Sequence, residues 1–146
     1  MVVDAGKEID AFLSGRNTNQ QEADERLSEN QARAKVYVDG TVMPAFEELR
    51  TAFEERGFGV EIARDSDTEA SLNVTGQGIS MKYVAGTIVN PGSVLARKRV
   101  EAGGRASGQG SIVGSGSTSE VESISRESIK ADFLKDWKNV MSDQRR

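Results

Sequence analysis

From Gln20 to Arg56 the apolar residues recur in steps of four and three. Leu27, Ala34, Val38, Val42, Ala45, Leu49 and Ala52 form the series, with Gln31 as its one polar member. That spacing predicts a long helix carrying a heptad stripe. Phe46 and Phe53 widen the stripe, while Glu47, Glu48, Glu54 and Glu55 lie off it. Gly57 follows Arg56 and suits the position just past a helix end, after a cationic last turn. Upstream, Ile9, Phe12 and Leu13 are spaced as one helical turn before the breaker run Ser14-Gly15-Arg16-Asn17-Thr18-Asn19. Residues 1–19 are accordingly expected to form a flexible arm, and 20–146 a single domain.

One stretch competes with the helix. In Val36-Tyr37-Val38-Asp39-Gly40-Thr41-Val42-Met43-Pro44, an Asp-Gly pair sits between alternating β-branched residues, which is a hairpin signal. Pro44 in a helix would remove one hydrogen bond and press on the carbonyl of residue 40, which is Gly. Either a hairpin precedes a helix starting at Pro44, or one long helix is kinked or broken near 40–44. The stripe stays in phase across the stretch, which favours the kinked or broken helix.

From Phe58 the period changes to two. Phe58, Val60 and Ile62 alternate with small or polar residues, and Ala70, Leu72 and Val74 do the same. Ile79, Met81 and Tyr83 follow, then Val94, Ala96, Lys98 and Val100 alternating with Leu95, Arg97 and Arg99. The connections are short and turn-rich, with no room for crossover helices, so the strands should form a four- to five-stranded antiparallel meander. Residues 103–119 are rich in Gly and Ser and read as a flexible loop, with at most a weak strand at 111–113. Val121 and Ile124 could begin an edge strand. Ser125 can cap a last helix whose Ile129, Phe133, Leu134, Trp137, Val140 and Met141 form a wide apolar face. That helix should pack on the sheet, giving an α+β domain.

Composition narrows the chemistry. Seven Ile, six Leu, 14 Val and five Phe supply 32 of 146 residues, about 22%, only just above the level at which disorder is expected. The chain has no His and no Cys. That removes the commonest general acid or base, every thiol nucleophile, disulfides, and the usual zinc and copper ligands. The missing cysteines and an N-terminus without an apolar run point to a reducing, cytoplasmic setting. No run is apolar enough to span a bilayer, and no membrane association is expected. No metal, cofactor or catalytic residue is expected either.

Candidate motifs fall short of their chemistry. Asp65-Ser66-Asp67-Thr68-Glu69 has the alternating acids of a calcium loop but lacks its Gly and Glu at the sixth and twelfth positions. Gly108-Gln109-Gly110-Ser111-Ile112-Val113-Gly114 has one residue too many for a dinucleotide fingerprint and no helix pattern after it. The glutamates at 47, 48, 54 and 55 share one helix instead of facing each other across a cleft. Trp137 belongs to an apolar helix face, and Asn73-Val74-Thr75 is a sequon lying within a strand.

Charge is uneven. Residues 1–69 carry 8 basic and 16 acidic side chains, residues 70–146 carry 11 and 7. This allows complementarity between halves or between subunits. Three functional expectations follow. The leading one is a non-catalytic protein–protein interaction or regulatory module. It would self-associate as a homodimer through the long helix, at Leu27, Ala34, Val38, Val42 and Leu49, unless that stripe packs against the rest of its own chain. The second is an anion or nucleic-acid binder using Arg97, Lys98, Arg99 and Arg105, the basic segment 97–105. The third is a small enzyme using carboxylates, Tyr37 or Tyr83.

Overall fold

The computed structural model describes residues 4–102, 105–112 and 119–143, with 105–109, 111 and 143 as backbone only. Helix α1 runs from Ala5 to Tyr37, a π-helical turn spans Val38–Val42, and α2 covers Met43–Glu54. Strands β1 (Gly59–Ser66), β2 (Glu69–Gly76), β3 (Ile79–Asn90), β4 (Ser93–Ala102) and β5 (Arg105–Ser111) follow, then a 3₁₀ turn (Val121–Ser123) and helix α3 (Arg126–Asp143). The sheet is an antiparallel meander in the order β1-β2-β3-β4-β5. The α+β architecture is the one the residue pattern predicts, with the break in the long helix where Pro44 places it.

Pro44 has no N–H to offer the carbonyl of Gly40, so the α-helical ladder fails there. The chain responds by widening one turn. The N–H of Met43 bonds the carbonyl of Val38, five residues back. A wider turn also explains why Ala34, Val38 and Val42, two consecutive steps of four, stay on one buried face. The Asp39-Gly40 hairpin alternative is therefore not adopted. Helix α2 ends as expected, with Gly57 left-handed at φ 86°. The N–H of Phe58 bonds the carbonyl of Phe53 and that of Gly57 bonds Glu54, the paired bonds of a Schellman cap.

The sheet buries one face. Leu72 and Val74 of β2, Met81, Tyr83 and Ala85 of β3, and Val94, Ala96 and Val100 of β4 are all buried, in step with the period of two. The β2–β3 turn has φ of 53° at Gln77 and 79° at Gly78, as a two-residue hairpin with matching twist requires. Onto this face pack Ala34, Val38, Val42, Ala45, Phe46, Leu49 and Phe53 from the long helix, and Ile129 and Phe133 from α3. Edge-to-face rings join the layers: Phe53 to Trp137 at 5.1 Å, Phe53 to Phe133 at 5.8 Å, Tyr83 to Phe133 at 5.4 Å, and Phe46 to Tyr83 at 6.1 Å. Ser125 caps α3 by accepting the N–H of Ser128.

Four expectations change. The breaker run 14–19 is helical, and α1 continues through it from a cap at Asp4, whose carboxylate accepts the N–H of Lys7. The Gly/Ser-rich stretch contains strand β5 at 105–111, because β4 offers an unpaired edge and small residues pair on it without steric cost. The weak strand at 111–113 reduces to the end of β5, with 113–118 outside the described residues. Val121 opens a 3₁₀ turn in place of an edge strand, and among the described residues the strand contact there is one bridge between Leu95 and Glu120.

Candidate interaction surface

The stripe proposed for self-association divides in two. Ala34, Val38 and Val42 are wholly buried and Leu49 nearly so, all inside the chain's own core. Leu27 is half-buried at the rim. The physical reason is room. The sheet face is wide enough for α2, the π-helical turn and α3 together, so the stripe from Ala34 onward is covered without a partner.

The boundary is marked by Asn30. Its Nδ2 donates to the carbonyls of Asn90 at 2.6 Å and Pro91 at 3.1 Å, the β3–β4 turn, and its Oδ1 accepts from Arg33 at 2.9 Å. N-terminal to this clamp the helix runs past the end of the sheet. Every residue from 4 to 22 is exposed. Within that length Ile9 is 58% exposed, Phe12 69% and Leu13 46%. They occupy one side of the helix by their i, i+3, i+4 spacing.

The basic segment 97–105 does not form one surface. Lys98 shares the buried face with Val94, Ala96 and Val100. Its Nζ lies 2.6 Å from Asp136 and 2.9 Å from Asp132, both on α3. Asp132 also accepts from the Tyr83 hydroxyl at 2.6 Å. This corrects Lys98 as an anion contact: its ammonium faces α3, where two carboxylates already pair with it. Arg99 pairs with Glu101 at 3.2 Å on the outer face. Arg97 is exposed there and has no ion-pair partner among the described residues. Arg105 is placed on β5 opposite Ala102, and its side chain lies outside the described residues.

The Lys98–Asp132–Asp136–Tyr83 cluster was not anticipated. Its signal was present: a lysine in an apolar alternation, and two aspartates one helical turn apart flanking Phe133. Burial opposes the Lys98 charge, yet the bonds to Asp136 and Asp132 outweigh it and hold the ammonium above its ordinary range. Burial, then the Asp132 charge, pushes the Tyr83 phenol well up, and the same two causes raise Tyr37. The Tyr37 hydroxyl is buried with no hydrogen-bond partner among the described residues. Each shift moves the group away from neutrality, so none is poised to exchange a proton near pH 7. What the arrangement does is bolt α3 to the sheet.

A groove of about 500 Å³ runs beside the π-helical turn, bounded by Val36, Tyr37, Gly40, Val121 and Ile124. Arg33 and Glu122 pair across its end, and that bond pulls the Glu122 carboxyl down and the Arg33 guanidinium up. The remaining candidates are structural. Arg50 bonds Glu54 at 2.8 Å and Lys130 reaches Glu48 at 3.5 Å. Asp67 faces Arg64 at 3.7 Å beside the β1–β2 turn. Trp137 stacks edge-on to Phe53 and Phe58. Gly108 and Gly110 lie in β5, without the strand–turn–helix that a dinucleotide site requires.

Among the described residues, no three carboxylates gather as metal ligands would, and no helix is long and apolar enough to cross a membrane. Comparison with protein-family models, with curated proteins and with solved structures finds no match to this chain.

Proposed function

We propose that the chain is a non-catalytic protein–protein interaction module that self-associates through its long helix, using the length of α1 that the fold leaves uncovered. The observation that carries this reading is the free helix itself. Residues 4–22 are exposed at every position, and Ile9, Phe12 and Leu13 are three of the five large hydrophobics exposed among the described residues. A helix with no tertiary cover is marginal in water, so its apolar side gains most from a partner.

Light scattering after size exclusion at about 100 µM tests this. The expected mass exceeds the 15.8 kDa of one chain. Phe12→Asp should return it to one chain. A single-chain mass for the unaltered protein overturns the reading.

A further inference from the structure

We propose that the free tip of α1 docks on the outer face of the sheet of a second copy, making a head-to-tail contact. This rests on the self-association reading and specifies its geometry. The outer face is the one turned away from the helices. At its β3–β4 end Ile88 is 40% exposed and stands directly across from Leu95, which is half-buried. Arg97 lies next along β4 opposite Gly86, over which the Glu69 carboxylate of β2 extends, followed by Arg99 opposite Val84. Lys82 continues the row, opposite Glu101. The β3–β4 half of this face thus presents two apolar side chains beside Lys82, Arg97 and Arg99, against two acids, Glu101 on Arg99 and the Glu69 carboxylate reaching across from β2, which leaves one base in excess.

The helix tip is its complement. Glu8 and Asp10 flank the side that carries Ile9, Phe12 and Leu13, Asp4 caps the helix at Lys7, and Arg16 follows one turn after Phe12 on the same side. An apolar side framed by acids matches an apolar patch framed by arginines. It matches a second acidic tip less well, because like charges would then face each other. The occupant cannot be the chain's own helix. α1 packs on the opposite face of the sheet, and Asn30 ties it to the β3–β4 turn. From that clamp it runs outward by about 1.5 Å per residue, which places Ile9 roughly 30 Å beyond. Tip and patch on one molecule therefore point to different neighbours. The contact is heterologous, and it closes into a ring or grows with concentration.

Two variants at exposed positions test this by complementation. The tip variant is Phe12→Asp, and the face variant is Ile88→Asp with Arg97→Glu. Circular dichroism and the urea midpoint confirm that each folds. Each alone should be monomeric at 100 µM. Mixed in equal amounts they should form a dimer and nothing larger, since one supplies an intact face and the other an intact tip. The unaltered protein should lose association between about 50 and 500 mM salt. A face variant that associates like the unaltered protein would show helix pairing with helix, overturning the head-to-tail contact while sparing self-association. Two monomeric variants that stay monomeric when mixed also overturn it. An unaltered protein that is itself monomeric removes both proposals.

Discussion

Two lengths of one helical run behave oppositely. Residues 5–29 and residues 30–54 are both helical, yet only the second is covered. The first holds larger apolar side chains at Ile9, Phe12 and Leu13 than the second holds at Ala34 and Ala45, which are wholly buried. Hydrophobicity of the individual residue does not decide burial here. The decision falls at Asn30, where the β3–β4 turn ends the sheet and its carbonyls find their donor. Helical periodicity tells which side of a helix is apolar, and the extent of the neighbouring layer tells how much of that side is used.

The contrast is open to attack by mutation. Phe46 is wholly buried and meets Tyr83 edge-on, so Phe46→Ala should cost about 4 kcal/mol of stability. Phe12→Ala should cost under about 0.5 kcal/mol in urea denaturation of dilute protein. Similar losses at the two positions would erase the distinction between the halves.

Lys98→Met leaves Asp132 and Asp136 facing each other without their cation, at a cost of about 3 kcal/mol. The same cluster sets an alkaline limit. Tyr83, Tyr37 and Lys98 all hold protons more tightly folded than unfolded. Their contribution is complete below the unfolded values, about 10, and falls as pH rises beyond them. Urea midpoints measured from pH 8 to 11 should fall above pH 10, and Tyr83→Phe should flatten that fall. A slope unchanged by the substitution would remove Tyr83 as its source.

Asn30→Ala strips the clamp and leaves the Asn90 and Pro91 carbonyls to water, costing about 1–2 kcal/mol. Hydrogen exchange should then quicken in the last turns of α1 before the β3–β4 turn does. A change confined to the free half is Gly15→Ala. An added methyl meets nothing within 4 Å, so helix propensity alone acts, at about 1 kcal/mol. Helicity by circular dichroism should rise while the urea midpoint of the core stays put. A shifted midpoint would mean that the free half and the core are one cooperative unit.

Much of this was readable before any coordinates. The period-two runs located four strands, and Pro44 with Gly40 located the break in the helix. Gly57 located its end, and Ser125 the start of α3. β5 was not legible, because a strand of Gly, Ser and Ala lacks the side-chain alternation that announces one, and it forms only where β4 supplies an edge. The helix through 14–19 was hidden for a related reason: weak local preference loses to continuity with strong turns on either side. Of the candidate sites, the stripe was legible as apolar, while the choice between cover by its own chain and cover by a partner was left open by the pattern. Arg97, Lys98 and Arg99 were seen as charged, while the turn of Lys98 toward α3 depended on aspartates 34 and 38 residues away.

What the sequence alone determined is local and periodic: a helical stripe broken near a proline, strands of period two, a capped last helix, and the absence of imidazole and thiol chemistry. These follow from backbone sterics and from which side chains are present. The tertiary structure decided where each apolar side is spent and which charges cancel. That information is a matter of distance between elements far apart in the chain, and it turned one continuous stripe into a covered half and a free one.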